Sequence, residues 1–295
     1  MAIVTPTSQK KAYAAWLAVC VLWGTTYLAI AIALETIPPL FMAGFRYLVA
    51  GALLVAVLKA RGERMPPPAL WSRLAVLGVL LLGFGNGGLV WAEQTIPSGF
   101  AALLVAMTPF WMVGIDALMP DGEPLTRRRV LGLIVGFIGI AMLVWPEIEM
   151  QRGGRGFLEG VIAAEIACVG WALGSNYARR RGHEDNVLVA AAFEMIFGGV
   201  FLVAGGSLRQ EWRHVAVTAR TFSAWIYLVV FGGIAGFSAY AYALKHLPVS
   251  TVSLYAYVNP IIAVALGTFI LGEPFSPRIA VAAVVVMGGM WMVRQ

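Results

Sequence analysis

Polar side chains set inside long apolar stretches are the residues of this sequence best suited to chemistry, and that chemistry is the passage of polar groups through hydrocarbon. Each buried charge costs about 2.5–3.5 kcal/mol on insertion scales, so such a residue has to face protein or water. Arg46 and Glu194 are two of them. They lie 148 residues apart, the offset that also separates Trp23 from Trp171. Two readings follow: an ion pair that locks two helices together, or a pair that contacts substrate or breaks during a switch. Glu165 shares one helical face with Cys168, Ala172 and Asn176, as Cys20 and Trp23 do with Tyr27. An isolated carboxyl at that depth is expected to face a cavity, and it is the group best suited to carry a coupled proton. Asn86 is a further cavity candidate.

A later stretch places Thr251, Tyr255 and Asn259 on one face at spacings of four. Pro260, and Pro109 in the matching position, each remove a backbone hydrogen bond, so both mark expected helix kinks. Trp23, Trp91, Trp171, Tyr240 and Tyr255 lie within apolar stretches. Trp16, Trp71, Trp145, Trp225 and Trp291 lie near their ends, where aromatic residues gather at membrane interfaces. Trp23 and Trp171 are expected to flank a central cavity, whose aromatic walls suit aromatic or aliphatic solutes.

Other chemistries lack their residues. Gly83-Phe84-Gly85-Asn86-Gly87-Gly88 matches the dinucleotide fingerprint G-x-G-x-x-G, but it follows a helix and not a strand. Small residues that let helices approach are the better account. No G-x-x-x-x-G-K-[ST] occurs, and the G-x-S-x-G and H-E-x-x-H motifs of an intramembrane enzyme are absent. His183, His214 and His246 lie in connectors, and Cys20 and Cys168 have no metal-ligand spacing. Neither a metal nor a cofactor is expected.

The elements that must carry these residues follow from composition. Of 295 residues, 60% are hydrophobic and 12% charged, with a mean hydropathy of +0.82. Soluble domains carry about 25% charged residues, so the chain reads as an all-α polytopic membrane protein. Apolar runs long enough to cross about 30 Å of hydrocarbon predict ten spans. The first five are residues 13–34, 38–58, 71–91, 97–118 and 126–144. A linker at 146–155 precedes the rest, at 156–177, 187–205, 222–244, 248–271 and 277–293. Lys10-Lys11 and the first apolar run imitate a secretory signal. Its Cys20-Val21-Leu22-Trp23 returns as Cys168-Val169-Gly170-Trp171, which places it in the mature chain.

Three proline landmarks occur twice in one order. Ile96-Pro97, Thr108-Pro109 and Gly122-Glu123-Pro124 return as Leu247-Pro248, Asn259-Pro260 and Gly272-Glu273-Pro274, at offsets of 151, 151 and 150. This is an internal duplication. Five spans per half, an odd number, thread the second half the opposite way up, giving two inverted five-helix repeats, 1–145 and 156–295. With a cytoplasmic N-terminus, 14 Lys and Arg fall on the cytoplasmic side and 6 opposite, so both termini are expected in the cytoplasm. The net charge of +6 reflects these connectors and gives no reason to expect nucleic acid.

With Trp23-Gly24 in the first span, Asn259-Pro260 in the ninth and Gly272-Glu273-Pro274 before the tenth, the whole chain resembles the drug/metabolite transporter superfamily. Within it the chain is similar to the EamA-type exporters, and most of all to the YddG-type bacterial aromatic amino-acid exporters. That resemblance implies a 5+5 inverted repeat, a multi-pass protein of the bacterial inner membrane, a central cavity and export of small amphipathic metabolites. Aromatic and other neutral amino acids are the implied substrates, with other metabolites or drugs as the alternative on the same fold. The implied partners are a small-molecule substrate and the lipid bilayer. Proton coupling is left open, and the sequence carries no signal for oligomeric state.

Overall fold

The computed structural model describes residues 6–120, 122, 124–149, 154–181 and 186–294. Among them there is helix and no strand, as hydrocarbon requires of a chain that cannot leave backbone groups unpaired. Long uninterrupted helices form where the apolar runs are uninterrupted: α1 (Pro6–Ala33), α2 (Pro39–Ala60), α7 (Arg127–Glu149), α8 (Gly154–Arg181), α9 (Val187–Leu208) and α14 (Pro277–Arg294). Among the described residues eight segments are long and apolar enough to span a membrane, and Tyr255–Leu271 and Pro277–Val293 are shorter apolar helices. α7 continues through Pro146, so helix takes up part of the expected linker, whose residues 150–153 lie outside the described ones.

The remaining spans are interrupted. The third runs as α3 (Trp71–Leu77), a π-helical stretch Gly78–Asn86, and α4 (Gly87–Ala92). The eighth repeats this as α10 (Ala219–Tyr227), a π-helical stretch Leu228–Ala235, and α11 (Gly236–His246). The fourth breaks between α5 (Ser98–Val105) and α6 (Thr108–Ala117), and the ninth between α12 (Val249–Val252) and α13 (Tyr255–Leu271).

The prolines sit differently at the two breaks. Pro109 occupies the first turn of α6, where its missing N–H costs nothing. The turn before it closes by short bonds, Met107 N to Leu104 O at 2.9 Å and Phe110 N to Met107 O at 2.9 Å. Val105 O, which Pro109 cannot reach, accepts from Thr108 Oγ1 at 2.7 Å. Pro260 lies inside α13, and the chain breaks ahead of it at Ser253-Leu254.

Packing pairs elements across the two halves. α2 lies against α9, and α7 against α14. α1 packs on α13 and α11, while α8 packs on α6 and on the Gly78–Asn86 stretch. Glycines permit the closest crossings: a Cβ on Gly289 of α14 would lie 2.6 Å from Gly136 N of α7. The faces turned outward are apolar, with Ile134, Phe137 and Ile138 of α7 about half exposed. This is the inverse of a water-soluble surface and suits lipid.

Candidate functional site

Where the broken and π-helical spans meet α1, α2 and α8, they enclose a cavity of about 570 Å³. Roughly 300–1,000 Å³ is usual for a small-molecule site. Both halves contribute to its wall. Of the residues expected from sequence it is lined by Trp23, Tyr27, Arg46, Asn86, Pro109, Trp171, Asn176, Tyr255, Asn259 and Pro260.

Two tryptophans are seated by the same device. Trp23 of α1 packs on Gly236 and donates Nε1–H to Gly232 O at 3.2 Å, a carbonyl of the second π-helical stretch. Trp171 of α8 packs on Gly85 in the first. A wide π turn leaves room and polar backbone for a neighbour, and such turns often occur at functional sites. Around Trp23 stand Phe237 at 5.3 Å, Tyr240 at 5.2 Å and Tyr255 at 5.1 Å between ring centroids. Tyr240 supports this cluster without lining the cavity. Edge and tilted contacts of this kind are worth about 0.5–1.5 kcal/mol each beyond area burial.

Arg46 carries the charge at the cavity wall, at 3% exposure. Its Nη2 donates to Asn86 Oδ1 at 2.7 Å and to the Tyr47 hydroxyl, and the guanidinium stands 4.3 Å from the Tyr47 ring. Its Nε and Nη1 are buried without a hydrogen-bond partner. Glu194, the partner suggested by the repeat offset, is not among the residues Arg46 bonds; the amide of the third span and the adjacent tyrosine take that place. Asn259 lines the cavity and, with its amide oriented to pair its donors, reaches Cys20 O at 3.0 Å and Tyr255 O at 3.2 Å, tying α13 to α1.

One end of the cavity carries charges that the sequence reading passed over. Asp116, at the end of α6, accepts from Arg179 and from Arg180, the latter at 2.9 Å. Asn176 donates to Met112 O at 3.0 Å and accepts from Arg179 at 3.1 Å. Asp116, Arg129, Arg179 and Val293 all line this end, close to the C-terminal turn of α14.

At the other end two carboxylates cap helices. Glu273 accepts from Ser98 N at 2.7 Å and Gly99 N at 3.0 Å, at the start of α5. Glu211 accepts from Phe41 N at 3.0 Å, at the start of α2. Burial lifts the Glu211 carboxyl above the usual range, against the pull of its backbone donors and Arg209. The repeat counterpart of Glu273, Glu123, lies outside the described residues.

Besides Tyr240 and Glu194, two further expected site residues stand outside the lining. Glu165 accepts from Trp111 Nε1 at 2.7 Å, between α6 and α8, and is not a lining residue. Trp91 holds Arg209 over its ring at 4.5 Å, as a residue of a span end does. Tyr47, Trp111 and Asp116 were missed because they read as ordinary apolar or end-of-helix positions. No group of His, Cys, Asp and Glu among the described residues has metal-site geometry.

Known proteins compare as follows. The model of the EamA-like transporter family matches residues 10–145 and again 158–295. The uncharacterized inner membrane transporter YedA of Escherichia coli K12 is 37% identical, over 90% of this chain and 84% of that one. The uncharacterized transporter YvbV of Bacillus subtilis is 27% identical over 87% and 82%. Protein PecM of Dickeya dadantii is 25% identical over 95% and 91%. A crystal structure 22% identical shares the fold, with a TM-score of 0.64 over 96% of both chains.

Proposed function

Because this chain belongs to the EamA-like transporter family, we propose that it is a secondary transporter. It exports small amphipathic metabolites by alternating access, with aromatic and other neutral amino acids, the YddG-type cargo, as the substrates that fit best. The observation that carries this reading is the cavity itself: Arg46 and three amides, Asn86, Asn176 and Asn259, set among aromatic walls drawn from both halves. A solute with a carboxylate and an apolar body meets Arg46 at one point and the Trp23 cluster at another.

Two inverted five-helix repeats are the frame for that motion. Exchanging the halves turns the α1–α13 packing into α8–α6, and α1–α11 into α8–α4, while α2–α9 and α7–α14 map onto themselves. The doubled family match supports the same division. The excess of Lys and Arg, 14 against 6, supports an inner-membrane protein with both termini inside and the Asp116–Arg179 end on the cytoplasmic side. The cavity lining includes Asp116, Arg129 and Arg179 and neither Glu93 nor Glu273, which supports a conformation open inward and sealed at the Glu273 end.

The test is counterflow in proteoliposomes holding the purified protein, with a panel of radiolabelled neutral and aromatic amino acids and nucleobases. Saturable uptake accelerated by unlabelled solute inside, and weakened in Arg46→Ala, is the expected result. Uptake that never saturates, or none for any member of the panel, defeats the reading.

A further inference from the structure

Glu93 is the one carboxylate among the described residues whose two oxygens are both buried without a hydrogen-bond partner. It follows α4 directly, at 8% exposure, outside the cavity lining. Ser98 Oγ, at the N-terminus of α5, is also buried and unpartnered. Glu273 occupies the two backbone donors of that terminus.

Three groups face Glu93 electrostatically: Glu273 from the turn after α13, Arg46 from α2 and Tyr27 from α1. Burial holds the Glu93 carboxyl well above the usual carboxylate range; Glu273 adds to this and Arg46 opposes it. A bare carboxylate in this place would have neither water nor a donor, the costliest way to bury a charge. An apolar residue would have avoided that cost.

We propose that Glu93 is a proton-binding site whose occupancy is tied to the sealing of the Glu273 end. Sealing that end strips water from the Glu93 carboxylate, which takes up one proton to become the neutral acid. Opening it readmits water, and the carboxyl gives the proton back. The sealed conformation therefore binds one more proton than the open one, and low pH on the Glu273 side favours sealing. This assigns to Glu93 the proton chemistry that the sequence suggested for Glu165.

The inference rests on the transport reading, and two measurements separate them. Infrared difference spectra of the purified protein at neutral pH are expected to show the C=O stretch of a protonated carboxyl, lost in Glu93→Gln. A spectrum unchanged by that substitution overturns the proposal whether or not transport is seen. In proteoliposomes, counterflow by the unsubstituted protein is expected to slow as the pH bathing the Glu273 side falls. Glu93→Gln should lose that dependence while keeping counterflow, and Glu93→Asp, which retains a carboxyl, should restore it. Counterflow whose pH response is the same in the unsubstituted protein and Glu93→Gln overturns the proton site and leaves the transporter standing. Absence of counterflow at every pH defeats the transporter, while the infrared result still decides whether Glu93 holds a proton.

Discussion

Arg46 shows how much a single side chain can be asked to do at the centre of a membrane protein. Its charge is held by an amide, a phenol and an aromatic face, none of them anionic. On the proposed function a substrate carboxylate would add the opposite charge, and hydrogen bonds to charged groups contribute about 1.5–3 kcal/mol. Arg46→Ala should therefore raise the half-saturating concentration of an amino-acid substrate by roughly tenfold to a hundredfold, measured by counterflow. Lysine should restore it only in part, because it lacks the planar fork. At Glu93 the test is stability. Its folded-state carboxyl titrates above its unfolded value, so the folded protein binds more protons and stability falls as pH rises from the ordinary glutamate range. Melting temperatures between about pH 5 and about pH 8 should decline more steeply for the unsubstituted protein than for Glu93→Gln. Neither role was fully legible in the sequence. Position in an apolar run marked Arg46 as a charge that must face protein or water, and the repeat offset suggested a structural or gating pair with Glu194, because equivalent positions were taken to meet. Glu93 closes a span and reads as a polar connector; the Glu273 carboxylate that faces it electrostatically is 180 residues away in sequence.

At the level of elements, helix contacts depend on what is missing from glycine. A methyl group on Gly289 would strike the α7 backbone, whereas one on its neighbour Gly288 would meet nothing within 4 Å. Gly289→Ala should lower stability by about 1–3 kcal/mol, the usual range for overpacking, and Gly288→Ala should not. Paired thermal melts of the two variants check this. The carboxylate caps make a second prediction. Glu273→Ala leaves two N–H groups of α5 unpaired and should cost about 0.5–2 kcal/mol, as the loss of an N-cap does. Hydropathy marked the apolar runs, and among the described residues eight of them are helices long and apolar enough to span a membrane, with two shorter apolar helices. The two π-helical stretches were not legible. Their glycines read as small residues for packing, and the use of the Gly232 carbonyl by Trp23 Nε1–H is visible only once α1 has docked. The expected kink at Pro109 became a helix start, because Thr108 and Met107 close the preceding turn on their own.

For the whole molecule, the account is that two copies of one unit enclose a cavity reachable from one side of the membrane at a time. Ser175 lines the cavity near the Asp116–Arg179 end and is a small residue that cysteine replaces conservatively. The native Cys20 and Cys168 are buried and can be changed to alanine. The most direct measurement is labelling of Ser175→Cys in that background by a membrane-impermeant maleimide, applied to inside-out and right-side-out vesicles. Reaction from the cytoplasmic face, protected by bound substrate, is the predicted result. Labelling from the opposite face alone, or from neither face while a lipid-soluble reagent reacts, would contradict it.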